Sequence, residues 1–269
     1  MSANCIDVTS ADDPRLADYR AVRDRDQRHA GTFLVEGEVP LRAWLAAGRF
    51  PARSVLVSDR RIGAIGEALP NSLTVFVAPQ AVMEAVAGFP IHRGVLGCGE
   101  RIAEPAPASV LSAARLVLVL EGLTNHDNVG GCFRNAAAFG ADAVVVDGRT
   151  ADPLYRKAIR VSAGAALTVP WARGGDGPGL VAACAAAGLR TCALTPDRGA
   201  SPLTEVLAPG PIAFVLGTEG PGLSRRALAA ADLRARIPMA PGFDSLNVAT
   251  AAAVALAFAT APASGGPRR

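Results

Sequence analysis

Short apolar runs alternate with amphipathic, helix-like runs along the first part of the chain. In the run at 38–48, Leu41, Trp44 and Leu45 recur at a spacing that places them on one face of a helix. The predicted elements are strand 33–37, helix 38–48, strand 53–58, helix 61–69, strand 73–78, helix 79–88 and strand 93–98. Such alternation is typical of a parallel or mixed α/β sheet, so the pattern predicts a small α/β domain.

The stretch at 99–114 interrupts this pattern, because it contains Pro105 and Pro107 and no strand-type run. This composition is typical of a linker. A second series of strands follows at 115–122, 141–148, 189–195, 211–217 and 234–239, with an alanine-rich helical stretch at 177–189. The pattern therefore predicts two α/β domains, residues 1–105 and 106–269, with the boundary near residue 108.

Composition and charge add little to this division. The chain has 269 residues, half of them hydrophobic, which is enough for one large or two modest domains with apolar cores. Its net charge of +3 is too small to indicate a nucleic-acid partner. Residues 1–105 carry a net charge of −1 and residues 106–269 one of +4, so a polyanion would weakly favour the second domain.

The cysteines and histidines do not predict a metal site or a disulfide framework. None of the five cysteines forms a C-x-x-C pair or has a histidine at metal-ligand spacing. We expect the cysteines to be reduced thiols, which are typical of a cytoplasmic protein. The polar, acidic N-terminal stretch predicts no signal peptide, and the apolar run at 246–261 is too short for a typical membrane span. We therefore expect a cytoplasmic protein with no metal and no membrane partner.

Three motifs in the second domain contain the candidate functional residues. The first is NHDNVGGCFRNAAAFG at 125–140. Asn128 is well suited to cap a helix, on which Val129, Cys132, Phe133, Ala136 and Ala137 form a core-facing stripe. Gly130 and Gly131 weaken its first turn, which suggests the close approach of a ligand. Arg134 and Asn135 lie off the stripe, where Arg134 is either functional or an ordinary surface arginine.

The second motif is LGTEGPGLS at 216–224, a loop with three glycines after an apolar strand. It matches neither G-x-G-x-x-G nor the G-K-[ST] of a phosphate-binding loop. The loop offers backbone groups at close range and one carboxylate, Glu219. These features favour a neutral or cationic ligand over a triphosphate.

The third motif is IPMAPGFDSLNVATAAAVAL at 237–256. Proline and glycine predict a loop, after which Ser245 or Asp244 caps a long alanine-rich helix. Asn247 is a polar residue at the base of that helix. Taken alone, the motif favours plain helix capping by Ser245 and Asn247.

Together, in this order and at these separations, the three motifs closely resemble the signature motifs of the SpoU/TrmH family of RNA ribose 2′-O-methyltransferases, in the SPOUT superfamily. The matching residues are Asn128, Gly130, Arg134 and Asn135 in the first motif; Gly217, Glu219, Gly220, Pro221, Gly222 and Leu223 in the second; and Ile237, Pro238, Met239, Ser245, Leu246, Asn247 and Val248 in the third. The stretch at 152–165 also resembles the family, with Lys157, Arg160, Ser162, Ala163 and Gly164. Residues 1–105 resemble, more weakly, the L30e-like RNA-binding domain of many members, best at 33–45.

The resemblance implies a fold and a cofactor. The implied fold is an α/β C-terminal domain with a parallel sheet and a trefoil knot, preceded by a smaller L30e-like α/β domain. S-adenosylmethionine would be folded into the knot, held by Gly217, Thr218, Gly220, Gly222, Ile237, Met239, Leu246 and Asn247. The family also implies a homodimer through the knot region and the C-terminal helix, and tRNA or rRNA as the substrate.

The implied reaction transfers a methyl group to a ribose 2′-hydroxyl, with Arg134, Asn128, Glu219, Ser245 and Asn247 as the catalytic residues. A hydroxyl is a poor nucleophile until its proton is lost or shared. Arginine conflicts with the role of a base because its pKa is very high. We therefore expect Arg134 to clamp an RNA phosphate, and that phosphate or a water to take the proton.

Two other functions stay open at this stage. The chain could be a non-catalytic RNA-binding or ribosome-associated protein that retains the fold. It could also be a dinucleotide-dependent oxidoreductase, which shares the α/β pattern, although its glycine fingerprint is missing from this sequence.

Overall fold

The computed structural model describes residues 4–20, 28–91, 93–243 and 245–261. These residues form two compact units. Unit 1 comprises residues up to 103 together with 153–168, and unit 2 comprises 104–152 and the residues from 169 onward.

Unit 1 contains a mixed five-stranded sheet. Its strands are β1 (Asn4–Asp7), β2 (Thr32–Glu36), β3 (Ala52–Ser58), β4 (Thr74–Ala78) and β5 (Val95–Glu100), in the order β1-β4-β3-β5-β2. The helices are α1 (Ala17–Arg20), α2 (Glu38–Ala47), α3 (Ile62–Ile65) and α4 (Gln80–Ala87), with 3₁₀ turns at Pro14–Leu16 and Gly66–Ala68. Strand β5 runs antiparallel to both β2 and β3, and the other pairs are parallel. Leu34, Leu56 and Phe76 from three strands and Met83 from α4 meet in one core.

The four strands predicted in the first domain are present. Strand β1 was not predicted, because its four residues are mostly polar and exposed, and only parallel pairing with β4 defines it. The predicted linker at 99–114 is partly wrong. Its start continues β5, and Pro107–Leu111 is helix α5, in which Leu111 is buried in the core of unit 2.

Unit 2 contains a seven-stranded sheet in which every neighbouring pair is parallel. Its strands are β6 (Leu116–Glu121), β7 (Ala143–Val146), β8 (Trp171–Arg173), β9 (Arg190–Leu194), β10 (Ser201–Pro202), β11 (Ile212–Gly217) and β12 (Leu233–Arg236), in the order β10-β12-β9-β11-β6-β7-β8. The helices are α5, α6 (His126–Ala138), α9 (Gly177–Ala186), α10 (Leu203–Val206), α11 (Arg225–Ala230) and α12 (Val248–Thr260). The central strands are almost wholly buried, as expected for a parallel sheet that is covered on both faces.

The prediction found five strands of this sheet and missed β8 and β10, which have only three and two residues. Within the described part of the chain, no helix is both long and apolar enough to cross a membrane.

Helices α7 (Arg156–Val161) and α8 (Ala165–Thr168) lie in unit 1, although their position in the sequence predicted them in the second domain. Arg156 forms an ion pair with Glu36, which is buried at the end of β2, and lies over the ring of Phe89. Gly164 packs so closely on α2 that an added Cβ would lie 3.0 Å from the Cα of Pro40. Each unit is therefore built from two separate stretches of the sequence, because residues 153–168 pack on unit 1.

This arrangement predicts how a truncated chain behaves. A fragment that begins at residue 108 keeps α7 and α8 but loses β2 and α2, so buried residues such as Ile159 and Leu167 become exposed. We expect the fragment to bind a hydrophobic dye and to unfold at a lower temperature than the full chain. Dye fluorescence and a thermal melt of both proteins measure this. A fragment that melts like the full chain without binding dye would contradict the assignment.

Candidate functional site

A cavity of about 680 Å³ lies in unit 2, at the carboxyl ends of three neighbouring strands, β12, β9 and β11. Ligands of open α/β sheets commonly bind at this edge, because the loops that leave the strands there converge. The cavity is lined by Leu194, Thr195, Pro196, Asp197, Leu216, Gly217, Thr218, Glu219, Gly220, Pro221, Gly222, Leu223, Leu228, Ile237, Met239, Ser245, Leu246, Asn247, Val248 and Ala251. All eight residues predicted to bind the cofactor are in this set.

The second motif forms a tight loop that folds back on itself. The backbone of Thr218 pairs with that of Gly222, whose N–H donates to the Thr218 carbonyl at 3.1 Å. A Cβ on Gly217 would lie 2.3 Å from the backbone of Gly222 and Leu223. The loop itself therefore requires a glycine at position 217, because a side chain there would clash with the loop backbone. We had expected the glycines of this loop to make room for a ligand. Gly220 has a φ of +83°, and a Cβ there would meet no atom within 4 Å, so it serves the turn.

The third motif supplies further residues of the cavity wall and the start of α12. The helix begins at Val248 and its N-cap is Asn247, whose Oδ1 accepts from the N–H of Ala249 at 2.9 Å. The predicted capping role of Ser245 is wrong, because the helix begins three residues later. Ser245 instead lies exposed at the cavity. The alternative cap, Asp244, lies outside the described residues.

The side-chain amide of Asn247 connects all three motifs. Its Nδ2 donates to Asn128 Oδ1 at 2.8 Å and to Glu219 Oε1 at 2.9 Å. The predicted capping role of Asn128 is wrong, because α6 begins at His126 and is capped by Asn125. Asn128 is buried in the first turn, where its oxygen is available to Asn247.

Helix α6 packs directly on α12. A Cβ on Gly131 would lie 2.7 Å from the Cβ of Ala249, and Asn135 Nδ2 donates to the Ala249 carbonyl at 2.7 Å. We expected a ligand to approach the glycines of the first motif closely. At Gly131 the close neighbour is helix α12 instead. The core-facing stripe is buried as predicted except at Ala137, which is exposed.

Arg134 is exposed on α6 and is not among the residues that line the cavity. No hydrogen bond or ion pair joins it to another residue that the structure describes. It follows Asn128 by six positions and therefore lies about 9 Å farther along the helix axis. The structure thus connects Asn128, Glu219 and Asn247 and places Ser245 at the cavity, but it leaves Arg134 outside this group.

Glu121, which lies outside the three motifs, fixes the far end of the second motif. This buried carboxylate at the end of β6 accepts from the backbone N–H and the hydroxyl of Ser224, both at 2.8 Å. Ser224 in turn caps α11, accepting from the N–H of Ala227 at 3.1 Å. A lone carboxylate at the end of the otherwise apolar run LVLVLE was the available signal.

A second missed element is the loop after β9, with Thr195, Pro196 and Asp197 at the cavity. Strand β9 lies between β12 and β11, so its carboxyl end necessarily reaches the same edge. The signal was strand order, which the sequence pattern does not provide.

The chemistry of the cavity fits an uncharged nucleoside that carries a positive centre. Its walls combine glycine backbone with Ile237, Met239 and Leu246, and its carboxylates are Glu219 and Asp197. No arginine or lysine lines the described part of the cavity, and dinucleotide phosphates need donors or positive charge there. The volume lies within the usual range for small-molecule sites, about 300 to 1,000 Å³.

The described residues contain no group of three or more His, Cys, Asp or Glu side chains that could hold a metal ion. Cys132, next to the glycines of the first motif, is fully buried. Burial raises the pKa of this thiol to about 12, so it stays protonated at neutral pH and acts as a core residue.

Residues 115–257 match the model of the SpoU rRNA methylase family. A protein of Mycobacterium bovis named as an uncharacterized tRNA/rRNA methyltransferase is 44% identical over 258 residues, which cover 93% of this chain and 89% of that protein.

Two solved structures extend the likeness over both units. The SpoU methyltransferase AviRb from Streptomyces viridochromogenes, in complex with its cofactor AdoMet, is 25% identical with a TM-score of 0.75 and covers 92% of this chain and 97% of its own. A structure described as an RNA 2′-O ribose methyltransferase is 26% identical with a TM-score of 0.76, covering 94% and 98%.

Proposed function

Because the chain belongs to the SpoU rRNA methylase family, whose members are RNA methyltransferases that use S-adenosylmethionine, we propose that it methylates a ribose 2′-hydroxyl in a structured tRNA or rRNA. The observation that carries this proposal is the hydrogen-bonded group Asn128–Asn247–Glu219 at the edge of the cavity. The 2′-O ribose activity of one structural relative supports the choice of the ribose over a base.

S-adenosylmethionine supplies an electrophilic methyl group on a sulfonium centre. When bound, this donor would supply the methyl carbon to the 2′-oxygen as its carbon–sulfur bond breaks, and the hydroxyl proton would pass to the adjacent RNA phosphate or a water. The glycine loop at 217–223 and Ile237, Met239 and Leu246 hold the donor in this proposal. Positioning of the two reactants can by itself lower the barrier by several kcal/mol.

Arg134 has the role of a phosphate clamp. The guanidinium stays charged at all working pH values, so it cannot accept the hydroxyl proton. Its exposure and its lack of a counter-charge among the described residues leave all its donors available to RNA. The adjacent RNA phosphate or a water takes the proton, and Ser245, exposed at the cavity, helps to position the nucleotide.

We also propose the trefoil knot, an L30e-like RNA-binding role for unit 1, and a homodimer through α12. The large side chains of Leu246 and Phe258 are 38% and 46% exposed near and on this alanine-rich helix, which supports its burial by a second copy. Because α6 packs on α12, such a dimer also brings Arg134 close to the interface.

The dimer is tested by placing a charge on α12. Phe258→Glu puts a carboxylate into the proposed interface, so we expect a monomer of unchanged fold in multi-angle light scattering and circular dichroism. Ser72→Glu, at an exposed position of unit 1 outside α12, serves as the control. If the Phe258→Glu protein stays dimeric, the dimer interface does not include this part of α12.

The activity itself is tested with a radiolabelled methyl donor and unmodified tRNA and rRNA transcripts. We expect label in one of the two RNAs, at a nucleotide whose 3′ linkage resists alkaline hydrolysis, because a methylated 2′-oxygen cannot attack the phosphate. Label on a base would contradict the ribose assignment. RNA binding without label would favour the non-catalytic alternative.

A charge placed at Asn247 tests the group that connects the motifs. Asn247→Asp retains the helix cap but loses both amide donations and faces the Glu219 carboxylate with a like charge. We expect affinity for S-adenosylmethionine to fall about tenfold at pH 8, or about 1.4 kcal/mol, in calorimetry. Asn247→Ser, which caps without adding a charge, should lose less. Equal affinity in wild type and Asn247→Asp would show that the amide does not support the cofactor loop.

A further inference from the structure

Unit 1 contains a second cavity, of about 810 Å³, whose lining includes Ser58, Arg60, Arg61, Gln80, Arg93 and Gly94. We call it the unit 1 cavity. It lies where β3 ends at Ser58, where α4 begins after β4, and where β5 is about to start. In unit 1 this is the same kind of position as that of the cofactor cavity in unit 2, at the carboxyl ends of parallel strands.

Three arginines and two carboxylates line the described part of the unit 1 cavity, so positive charge exceeds negative charge by one; they are Arg60, Arg61, Arg93, Glu38 and Glu84. Among the described residues, Arg60 and Arg93 have no ion pair. Arg61 pairs with Glu38 at 2.5 Å, but its Nε–H is buried without an acceptor. Glu38 is also paired with Arg42 at 2.9 Å, and hydrogen bonding to Arg42 is the main reason that its pKa lies below the ordinary value. Both carboxylates therefore have partners, since Glu84 accepts from Gln80. The guanidinium groups of Arg60 and Arg93 remain for an anion.

Its floor carries neutral hydrogen-bonding groups held in fixed positions. Gln80 Nε2 donates to Glu84 Oε1 at 2.9 Å and to the Ile91 carbonyl at 2.6 Å, which leaves Gln80 Oε1 as an acceptor. A Cβ on Gly94 would lie 2.6 Å from Ser58 Oγ and 3.2 Å from Gln80 Oε1. The glycine thus leaves room for the Ser58 hydroxyl, the Gln80 amide oxygen and the aliphatic part of the Arg61 side chain at one point.

We propose that the unit 1 cavity binds an unpaired nucleotide of the RNA substrate, with its phosphate between Arg60 and Arg93 and its polar edges toward Ser58 and Gln80. This inference rests on the proposed function, since it names the part of the RNA that unit 1 recognises. Paired RNA is less suited to a concave site, because its deep, narrow groove hides the base edges, whereas an unpaired nucleotide can enter a pocket. Guanidinium groups bind phosphate through two parallel donors.

The test measures binding of a fluorescent stem-loop oligoribonucleotide by anisotropy. Arg60→Ala and Arg93→Ala should each raise its Kd about tenfold and lower the dependence of log Kd on log salt by about 1. Arg60→Lys should keep the salt dependence but bind more weakly than wild type, because it loses the two-donor geometry. Arg53→Ala removes the same charge from the start of β3, at the opposite end of the strand, and should change Kd less than about twofold.

Three results would overturn the proposal. The first is equal Kd values for Arg60→Ala, Arg93→Ala and Arg53→Ala. The second is an equal loss of affinity for the same stem without its unpaired loop, which would indicate general attraction to the RNA backbone. The third is tight binding of AMP or inorganic phosphate that Arg60→Ala abolishes while stem-loop binding is unchanged, which would make it a site for a free anion.

Kinetics separate this proposal from the proposed function. In the methylation assay, Arg60→Ala and Arg93→Ala should raise KM for RNA with kcat near the wild-type value and unchanged affinity for S-adenosylmethionine. A wild-type protein that binds the stem-loop through these arginines but methylates no RNA would contradict the proposed function alone. If the wild-type protein methylates RNA and neither substitution changes KM or Kd for RNA, the proposed nucleotide site in the unit 1 cavity would be wrong. The proposed function would then stand.

Discussion

Arg134→Ala is expected to slow single-turnover methyl transfer at least about a hundredfold, which corresponds to about 2.7 kcal/mol of transition-state stabilisation. The exposed side chain makes no contact that the fold requires, so the free energy of unfolding should change by less than about 0.5 kcal/mol. Affinity for S-adenosylmethionine should stay near the wild-type value, because Arg134 does not line the cofactor cavity.

The substitution Arg134→Lys makes the same prediction sharper. Lysine keeps the charge but lacks the planar fork that binds a phosphate through two donors, so it should also be severely impaired. Arg226→Ala is the matched control, since Arg226 is another exposed helical arginine of unit 2 and is 80% exposed. Rapid-quench assays under single-turnover conditions measure the rate, and calorimetry measures cofactor affinity. Methyl transfer by Arg134→Ala at the rate of Arg226→Ala would reduce Arg134 to a surface residue.

Gly217→Ala should weaken binding of S-adenosylmethionine at least about a hundredfold, or by about 2.7 kcal/mol. The added Cβ would lie 2.3 Å from the Gly222 and Leu223 backbone, and no side-chain movement can relieve that clash. The loop must therefore open, and its inner surface is one wall of the cofactor cavity. The sheet below it should remain intact, because Gly217 is the last residue of β11.

Two controls accompany this substitution. A Cβ on Gly220 meets no protein atom within 4 Å, so Gly220→Ala should lower the stability of the fold only by the strain of a left-handed residue, about 1 kcal/mol. Gly63→Ala, at an uncrowded position in unit 1, should have no effect on cofactor binding. Calorimetry gives the affinities, and circular dichroism shows whether each protein is folded. Wild-type affinity in Gly217→Ala would mean that the loop does not form the donor site.

The sequence identified most of the parts of the site but not how they connect. Asn128, Glu219 and Asn247 were each selected from their motifs, yet Asn128 and Asn247 are 119 residues apart and their hydrogen bond follows from no local pattern. The same holds for the glycines. Their presence predicts a close approach, but the tertiary structure shows that Gly217 meets its own loop and Gly131 meets α12.

The α/β character of the chain, most of its strands and the loops that carry the chemistry are predictable from the sequence. Alternating apolar runs, glycine loops and capping residues are local signals, readable within one element. Tertiary packing places residues 153–168 in unit 1, through contacts such as that of Arg156 with Glu36, 120 residues away. It also decided that the loops after β9, β11 and β12 enclose one cavity. The physical reason is that strand order and helix packing depend on which buried surfaces fit together, and a local pattern does not encode that fit.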